Sequence, residues 1–206
     1  MFSKKSRRYL LLFILLLTSL FFVHIIVENE LKGRSIQKGI AEDIIRFHVI
    51  ANSNNLNDQM IKYKVKDALV KELSPWLENA QSKDEVQRIL EDKLKNIEEV
   101  AMDVLRQNDC KDVISVSLSN SYFPMKAYGA YTFPPGHYDS LRVEIGSAKG
   151  ENWWCVLFPP LCFIDETYSI VDKETDEQLQ FLLTEEEYCE IANGEISIVY
   201  KSKLWE

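Results

Sequence analysis

The sequence predicts an α+β fold, with an N-terminal transmembrane or signal helix followed by a mostly antiparallel sheet that two long helices cover on one face. Three observations predict this class. An uninterrupted apolar run lies near the N-terminus, two long segments repeat apolar residues every three or four positions, and several short segments alternate apolar and polar residues. The order of these segments lacks the regular strand–helix alternation of a parallel sheet, which favours antiparallel pairing.

The N-terminus has the pattern of an export segment. A basic head, "KKSRR", precedes an apolar run at residues 9–27, whose 19 residues approach the roughly 20 that a membrane-spanning helix needs. The apolar region of a cleaved signal peptide is usually shorter. Residues 1–27 are therefore expected to be a signal anchor, with a signal peptide as the alternative, and the positive head is expected to stay in the cytoplasm.

The rest of the chain is acidic and is expected to lie outside the cytoplasm. The net charge is −8, and because residues 1–27 carry +4, residues 28–206 carry −12. Such a domain is not expected to bind nucleic acid, whose phosphates are neutralised by Lys and Arg. Residues 28–40 show no sustained period and are interpreted as a polar stalk, which leaves residues 41–206 as one extracytoplasmic α+β domain.

The first expected strand lies in "AEDIIRFHVIAN". Ile45, Phe47 and Val49 alternate to one face of it, whereas Arg46 and His48 share the other. This alternation predicts a strand with an apolar face and a face that carries two basic side chains.

Two long helices are expected next. Apolar residues recur at spacings of three and four over residues 58–79, where Pro75 is expected to kink or end the helix. A second helix is expected over residues 82–107, because Ser82 and Glu85 have the spacing of a capping box.

The second half of the domain is expected to be mainly strands. The alternating segments "VISVSLS" and "YDSLRVEIG" flank residues 120–137, which are rich in aromatic residues and proline, show no period and are expected to form a long functional loop. A strand over residues 152–158 follows in "GENWWCVLFPPLCF". A short helix, "LTEEEYCEIAN", and a last strand, "EISIVYKSKLW", complete the order.

The cysteines favour a disulfide over a metal site. Cys155 and Cys162 have six residues between them, which is more than the two to four of common zinc motifs, and the three histidines lie far apart. In an oxidising compartment this pair is expected to form a disulfide, and buried free thiols are the alternative. No metal and no cofactor are expected.

A catalytic site is only weakly indicated. Ser53, His48 and Asp43 could form a Ser/His/acid set, but no serine lies in a G-x-S-x-G motif. The simpler interpretation is a structural histidine and a turn serine that caps the first helix. Trp153 and Trp154 are adjacent, so in a strand they point to opposite faces, which favours a contact surface.

Several stretches together resemble the stage II sporulation protein R family of endospore-forming bacteria. They are "IIRFHVIANSN", "DQMIKYKVKDALVKELSP", "YFPMKAYG" and "FPPGHYDSLRVEIGSAKGENWWCVLFPPLCF", in this order behind the N-terminal anchor, and they cover residues 44–165. The resemblance implies a signal protein that is made in the forespore and exported into the space between the two membranes, with or without an anchor in the forespore membrane. Its implied partner is a membrane-embedded aspartic protease of the mother cell, which then cleaves a pro-sigma factor.

The resemblance transfers no catalytic residue, because the enzyme is the partner. It implies candidates for partner contact or local architecture, namely Arg46, His48, Asn52, Ser53, Tyr128, Gly129, Trp153 and Trp154, together with the Cys155 and Cys162 pair. Two other functions stay open. One is a membrane-anchored cell-envelope hydrolase that uses His48 and Ser53, and the other is a peptidoglycan-binding or peptide-binding domain that uses the aromatic residues of the segment 122–138.

Overall fold

The computed structural model describes residues 4–163, 171 and 173–193. Its elements in chain order are α1 (Lys4–Asp43), β1 (Ile45–Ile50), α2 (Leu56–Leu77), α3 (Lys83–Gln107), β2 (Ile114–Phe123), β3 (Lys126–Tyr128), β4 (Tyr131–Phe133), β5 (Gly136–Ile145), β6 (Asn152–Phe158), a 3-10 turn (Leu161–Phe163), α4 (Lys173–Leu182) and α5 (Glu185–Asn193). The last strand expected from the sequence, residues 195–205, lies outside the described residues.

Among the described residues, the main sheet has four strands in the order β2-β5-β1-β6, and β3 and β4 form a separate two-stranded hairpin. β1 is parallel to β5, whereas the β2–β5 and β1–β6 pairs are antiparallel. The predicted α+β class with a mostly antiparallel sheet is confirmed. The parallel pair arises because two helices, β2 and the hairpin all separate β1 from β5 in the chain.

One face of the sheet packs against α2 and α3, as predicted. Phe47 of β1 lies opposite Leu141 of β5 and Cys155 of β6, so the apolar residues of three strands share this face. The buried residues of this core include Phe47, Val49, Val65, Leu69, Leu73, Leu90, Ile97, Ala101, Leu105, Leu141, Val143, Ile145, Cys155 and Leu157. Burial of this apolar area is the main source of stability for the domain.

Local capping sets where the two helices begin. Ser82 Oγ accepts a hydrogen bond from the Glu85 backbone N–H at 3.3 Å, so the predicted start of α3 is confirmed. At α2 the cap is Asn55, whose Oδ1 accepts from the Asp58 N–H at 2.8 Å. Ser53, expected to be the cap, lies two residues too early for this bond. Pro75 lies inside α2 near its end at Leu77.

The second face of the sheet is covered as well, which the sequence did not predict. All six residues of β1 are buried. The residues of this second core are Ile36, Ile40, Ile44, Phe123, Tyr131, Phe133, Tyr138, Val156, Leu161, Leu179, Leu183 and Ile191. The covering layer, defined here as the end of α1, the β3–β4 hairpin, α4 and α5, contributes half of them.

Hydrogen bonds tie this covering layer together. The hydroxyl of Tyr188 in α5 donates to Asp176 Oδ1 in α4 at 2.7 Å, and Tyr131 in β4 donates to the same oxygen. These two bonds lower the pKa of Asp176. Burial and the bond to Asp176 raise the pKa of Tyr131. The carboxylate therefore joins α4, α5 and the hairpin at one point.

Helix α1 is continuous from the apolar run into the domain. One described helix, Arg7–Asp43, is long and apolar enough to cross a membrane, and its most apolar window has a mean hydropathy of 2.9 with no buried residue. A signal sequence satisfies the same criteria. The apolar half of α1 is thus compatible with anchoring or with export.

Residues 28–40, expected to be a polar stalk, are helical, and their last turns belong to the second core. Ile36 and Ile40 are buried. Gln37 donates to the backbone oxygen of His137 at 3.1 Å, and Lys83 donates to the backbone oxygen of Ala41 at 2.7 Å. A period was not visible in the sequence because two buried residues one turn apart are too few to establish one.

The segment 120–137, expected to be a long loop, is instead the end of β2 followed by the β3–β4 hairpin. Each hairpin strand has three residues, which is too short for alternation to be recognised in a sequence. Gly129 has φ +57° and occupies the first position of the two-residue turn. A positive φ at this position favours glycine.

Replacing Ile40 by alanine is expected to lower the free energy of unfolding by about 2 to 5 kcal/mol, because the side chain is fully buried in the second core. The matched control is Lys38→Ala, in the same turn of α1, whose side chain is 78% exposed and whose loss is expected to change stability by less than about 0.5 kcal/mol. Urea unfolding of the full chain in detergent micelles measures both. Equal effects would show that α1 does not belong to the folded domain.

Candidate functional site

Three of the candidates, Arg46, His48 and Trp154, lie on one surface, the face of the sheet opposite α2 and α3. We call it the polar sheet face and define it by Ser117 and Ser119 of β2, Tyr138, Ser140, Arg142 and Glu144 of β5, Arg46 and His48 of β1, and Asn152, Trp154 and Val156 of β6. His48 lies opposite both Arg142 and Trp154. Directly opposed residues share a face, so the register alone brings these three side chains together.

Arg46 occupies the covered end of the polar sheet face and is fully buried. Its guanidinium carbon lies between 4.6 and 5.6 Å from the centroids of four aromatic rings, those of Phe123, Tyr128, Phe133 and Tyr138. Aromatic rings present their negative faces to a cation at such distances. The rings therefore offset part of the cost of burying the charge.

Two hydrogen bonds orient the Arg46 guanidinium. Nε donates to the backbone oxygen of Cys155 at 3.0 Å, and Nη2 donates to the hydroxyl of Tyr128 at 3.1 Å. Nη1 is buried, and no described residue accepts a hydrogen bond from it. Burial lowers the pKa of Arg46 and raises that of Tyr128. Arg46 therefore links β1 to β6 and to the hairpin, and none of its surface is exposed.

His48 lies next to Arg46 on the same face. Its ring stacks on Trp154 with an interplanar angle of 9° and a centroid distance of 5.1 Å, and Phe123 lies at the same distance on a tilted plane. Nδ1 lies 3.2 Å from Asn152 Oδ1, and Nε2 is buried with no hydrogen-bond partner in the described part of the chain. With the amide oxygen as acceptor, Nδ1 carries the proton.

The His48 ring is neutral near neutral pH. Burial lowers its pKa to about 4, and the nearby Arg142 and Arg46 charges act in the same direction, against the bond to Asn152. A neutral ring stacks between its aromatic neighbours without the desolvation cost of a charge.

The adjacent tryptophans point to opposite faces, as predicted. Trp153 packs against Phe47 edge to face at 5.4 Å on the side of α2, where Lys66 Nζ lies 5.3 Å from its ring centroid. Trp154 lies on the polar sheet face beside His48. Both indoles are half-buried.

The other end of the polar sheet face, around Trp154 and Arg142, is open to solvent. Arg142 Nη2 donates to Glu144 Oε1 at 2.6 Å, and these side chains are 37% and 27% exposed. Arg142 and Glu144 were placed on a polar strand face by the sequence but were not recognised as candidates. The missing information was the parallel pairing that sets Arg142 beside His48.

Asn52 and Ser53 hold the loop between β1 and α2. Ser53 Oγ donates to Asp58 Oδ2 at 2.7 Å, and Asn52 Oδ1 accepts from the Ser147 backbone N–H at 2.8 Å. Gly146 has φ +59°, and a Cβ there would lie 2.5 Å from Asn52 Oδ1. These contacts join the loop to the turn between β5 and β6.

The Ser/His/acid set considered from the sequence is not assembled. Ser53 donates to Asp58, and His48 Nδ1 is bonded to Asn152, so neither residue of the proposed pair is bonded to the other. A general base must lie within hydrogen-bond reach of the proton that it removes. The geometry therefore does not support a hydrolase that uses this pair.

The aromatic residues of the segment 122–138 do not form a binding surface together. Phe123, Tyr131, Phe133 and Tyr138 are buried, whereas Tyr122 is 51% exposed. Most of these rings pack around Arg46 or in the covering layer. The surface available to a sugar or peptide ligand in this segment is therefore small.

Cys155 and Cys162 form a disulfide, with 5.6 Å between their Cα atoms. By the loop-entropy estimate this bond contributes about 2 to 3 kcal/mol to stability. Cys110 and Cys189 are free thiols. Within the described residues, no three His, Cys, Asp or Glu side chains lie close enough to hold a metal ion.

Two comparisons find relatives of the chain. The family model of stage II sporulation protein R (spore_II_R) matches residues 41–168, which include every strand that the structure describes and the whole polar sheet face. Stage II sporulation protein R of Bacillus subtilis (strain 168) is 35% identical over 139 residues, 68% of this chain and 62% of the relative. The match thus spans less than two thirds of the relative's length. No solved structure matches the chain.

The stability of the domain is expected to fall as the pH drops from about 6.5 to about 4, because the unfolded chain takes up a proton on His48 that the folded domain excludes. At pH values above about 6.5, the pKa of His48 in the unfolded chain, His48 is unprotonated in both the folded and the unfolded state. The domain therefore has its full stability there. The loss across the window is roughly 3 kcal/mol for this residue.

His48→Gln removes the titrating group and keeps a donor for Asn152. Urea unfolding of the full chain at a series of pH values is expected to give a shallower pH dependence for this variant than for the unmodified protein. Identical pH dependence in the two proteins would show that His48 is accessible to protons in the folded state.

Proposed function

Because the chain belongs to the stage II sporulation protein R family, we propose that it is an exported sporulation signal that switches on a membrane-embedded aspartic protease. That protease, in the membrane of the mother cell, then cleaves a pro-sigma factor. The chain is made in the forespore, its domain faces the space between the two membranes, and it acts by contact with the protease rather than by catalysis.

The main structural support for this proposal is the open end of the polar sheet face. It presents an indole and a guanidinium, Trp154 and Arg142, which are the side-chain types that most often dominate binding energy at protein interfaces. Both are already ordered, Trp154 by stacking on His48 and Arg142 by its bond to Glu144. A pre-ordered side chain loses little conformational entropy when a partner binds.

The continuous α1 helix supports contact with a partner at a membrane. From residue 27, the end of the apolar run, to the buried Ile36 there are nine residues, which span about 14 Å as a helix. If α1 remains as an anchor, the domain is held close to the membrane surface. A rigid helix fixes this distance, whereas a flexible stalk would not.

Trp154→Ala is expected to reduce activation by removing a central contact, at a cost of about 2 kcal/mol or more in binding free energy. The chain, the protease and the pro-sigma factor are expressed together in a non-sporulating host, and the cleaved fraction of the precursor is measured. Processing is expected to depend on this chain and to fall strongly with Trp154→Ala.

The matched control is Trp153→Ala, which also removes a half-buried indole from β6 but does so on the opposite face. The two variants are expected to lose similar stability and to differ in processing. Equal processing with and without the chain would rule out activation. Equal loss in the two variants would rule out the polar sheet face as the contact surface.

A further inference from the structure

Strand β2 forms one edge of the main sheet and is unusually well suited to pair with another strand. It has ten residues in unbroken register with β5, from Ile114 opposite Ile145 to Phe123 opposite Gly136. It stands at the end of the strand order, and no described residue pairs with its outer side. Alternate residues of an antiparallel strand direct their N–H and C=O groups outward, so this edge offers a row of backbone donors and acceptors that no other described strand uses.

The edge lacks the features that usually prevent pairing. Exposed edge strands are commonly short, bulged, or interrupted by proline or charged residues. The sequence of β2, "ISVSLSNSYF", contains neither a charge nor a proline, and its pairing with β5 shows no bulge. Its ten residues also exceed the usual strand length of about five or six.

We propose that β2 pairs antiparallel with β2 of a second copy of this chain, so that two main sheets join into one of eight strands. A two-fold axis through Leu118 places each Leu118 opposite the other. The same register sets Ser117 opposite Ser119 of the second copy and Ser115 opposite Ser121 of the second copy. Serines that face each other across strands can exchange hydrogen bonds.

The pattern of β2 favours its own copy over another occupant. The four serines of β2, at 115, 117, 119 and 121, lie symmetrically about Leu118, so in this register the serine face of one copy meets the serine face of the other along the whole strand. This register also sets Tyr122, which is 51% exposed, opposite Ile114 of the second copy.

Charge limits where two copies of the chain can meet. The chain beyond residue 27 carries −12, so two copies repel each other through most of their surfaces. Strand β2 contributes no charge to this repulsion. An isologous contact of this kind also closes after two copies, so it does not lead to a filament. The pairing does not depend on the protease proposed above.

A cysteine at position 118 tests the pairing directly. In the full chain in detergent micelles, with Cys110 and Cys189 replaced by serine, Leu118→Cys is expected to form an intermolecular disulfide on mild oxidation, because directly opposed Cβ atoms lie about 4.5 to 5.5 Å apart. Asn120→Cys is the control. Two copies of residue 120 would be offset by four residues, about 14 Å along the strand, and cannot be bridged.

A mixture of Asn120→Cys and Val116→Cys chains is expected to crosslink, because these positions oppose each other in the same register. Equal crosslinking by Leu118→Cys and Asn120→Cys alone would contradict the register. Light scattering, with the contribution of the detergent subtracted, measures the protein mass of the complex. For the unmodified chain this mass is expected to be twice that of one copy. A single-copy mass at all concentrations tested would overturn the proposal.

Charged residues in place of Ser117 and Ser119 of β2 provide a test that does not need oxidation. A double variant that carries both Ser117→Lys and Ser119→Lys is expected to be a monomer, because like charges then face each other across the pair. The double variant with Ser117→Glu and Ser119→Glu is expected to be a monomer for the same reason. Mixing the two variants is expected to restore the dimer. Restoration also shows that both variants are folded, and a dimer of either variant alone would contradict the pairing.

Discussion

The burial of the Arg46 guanidinium is the interaction on which the rest of the domain depends. A buried cation that no carboxylate contacts within the described residues is stable only where nearby groups compensate its charge and its donors. The compensation comes from separate parts of the chain, namely a backbone oxygen of β6, the Tyr128 hydroxyl of the hairpin, and rings of β2, β4 and β5. The hairpin is therefore required for the burial of β1, and it cannot behave as an independent loop.

The same arrangement determines the chemistry of the polar sheet face. Next to the buried Arg46, His48 is held neutral between two aromatic rings, so the interior end of the face is rigid and apolar in character despite its basic residues. The ordered side chains at the other end, Trp154 and Arg142, remain partly exposed. The face thus combines a fixed interior with an accessible rim, which is what recognition of a protein surface requires. Helix α1 packs into the layer that covers the interior end and connects it to the apolar N-terminal run.

Local patterns predicted the features that depend on neighbouring residues. The alternation in β1 placed Phe47 and Arg46 on opposite faces, and the capping box at Ser82 gave the start of α3. Features that depend on distant partners were not predictable. The parallel pairing of β1 with β5 brings Arg142 to His48, and no periodicity reports such a choice of partner. The hairpin and the end of α1 were missed because three-residue strands and a single buried pair, Ile36 and Ile40, are too short to produce a period.

The central claim is that the open end of the polar sheet face contacts the protease. Photo-crosslinking tests it most directly, with a photoreactive amino acid at Arg142 in one chain and at Lys95 on the exposed face of α3 in another, each expressed with the protease. A crosslinked adduct with the protease is expected from position 142 and none from position 95. An adduct from position 95 without one from position 142 would place the contact on the helical face and contradict the account.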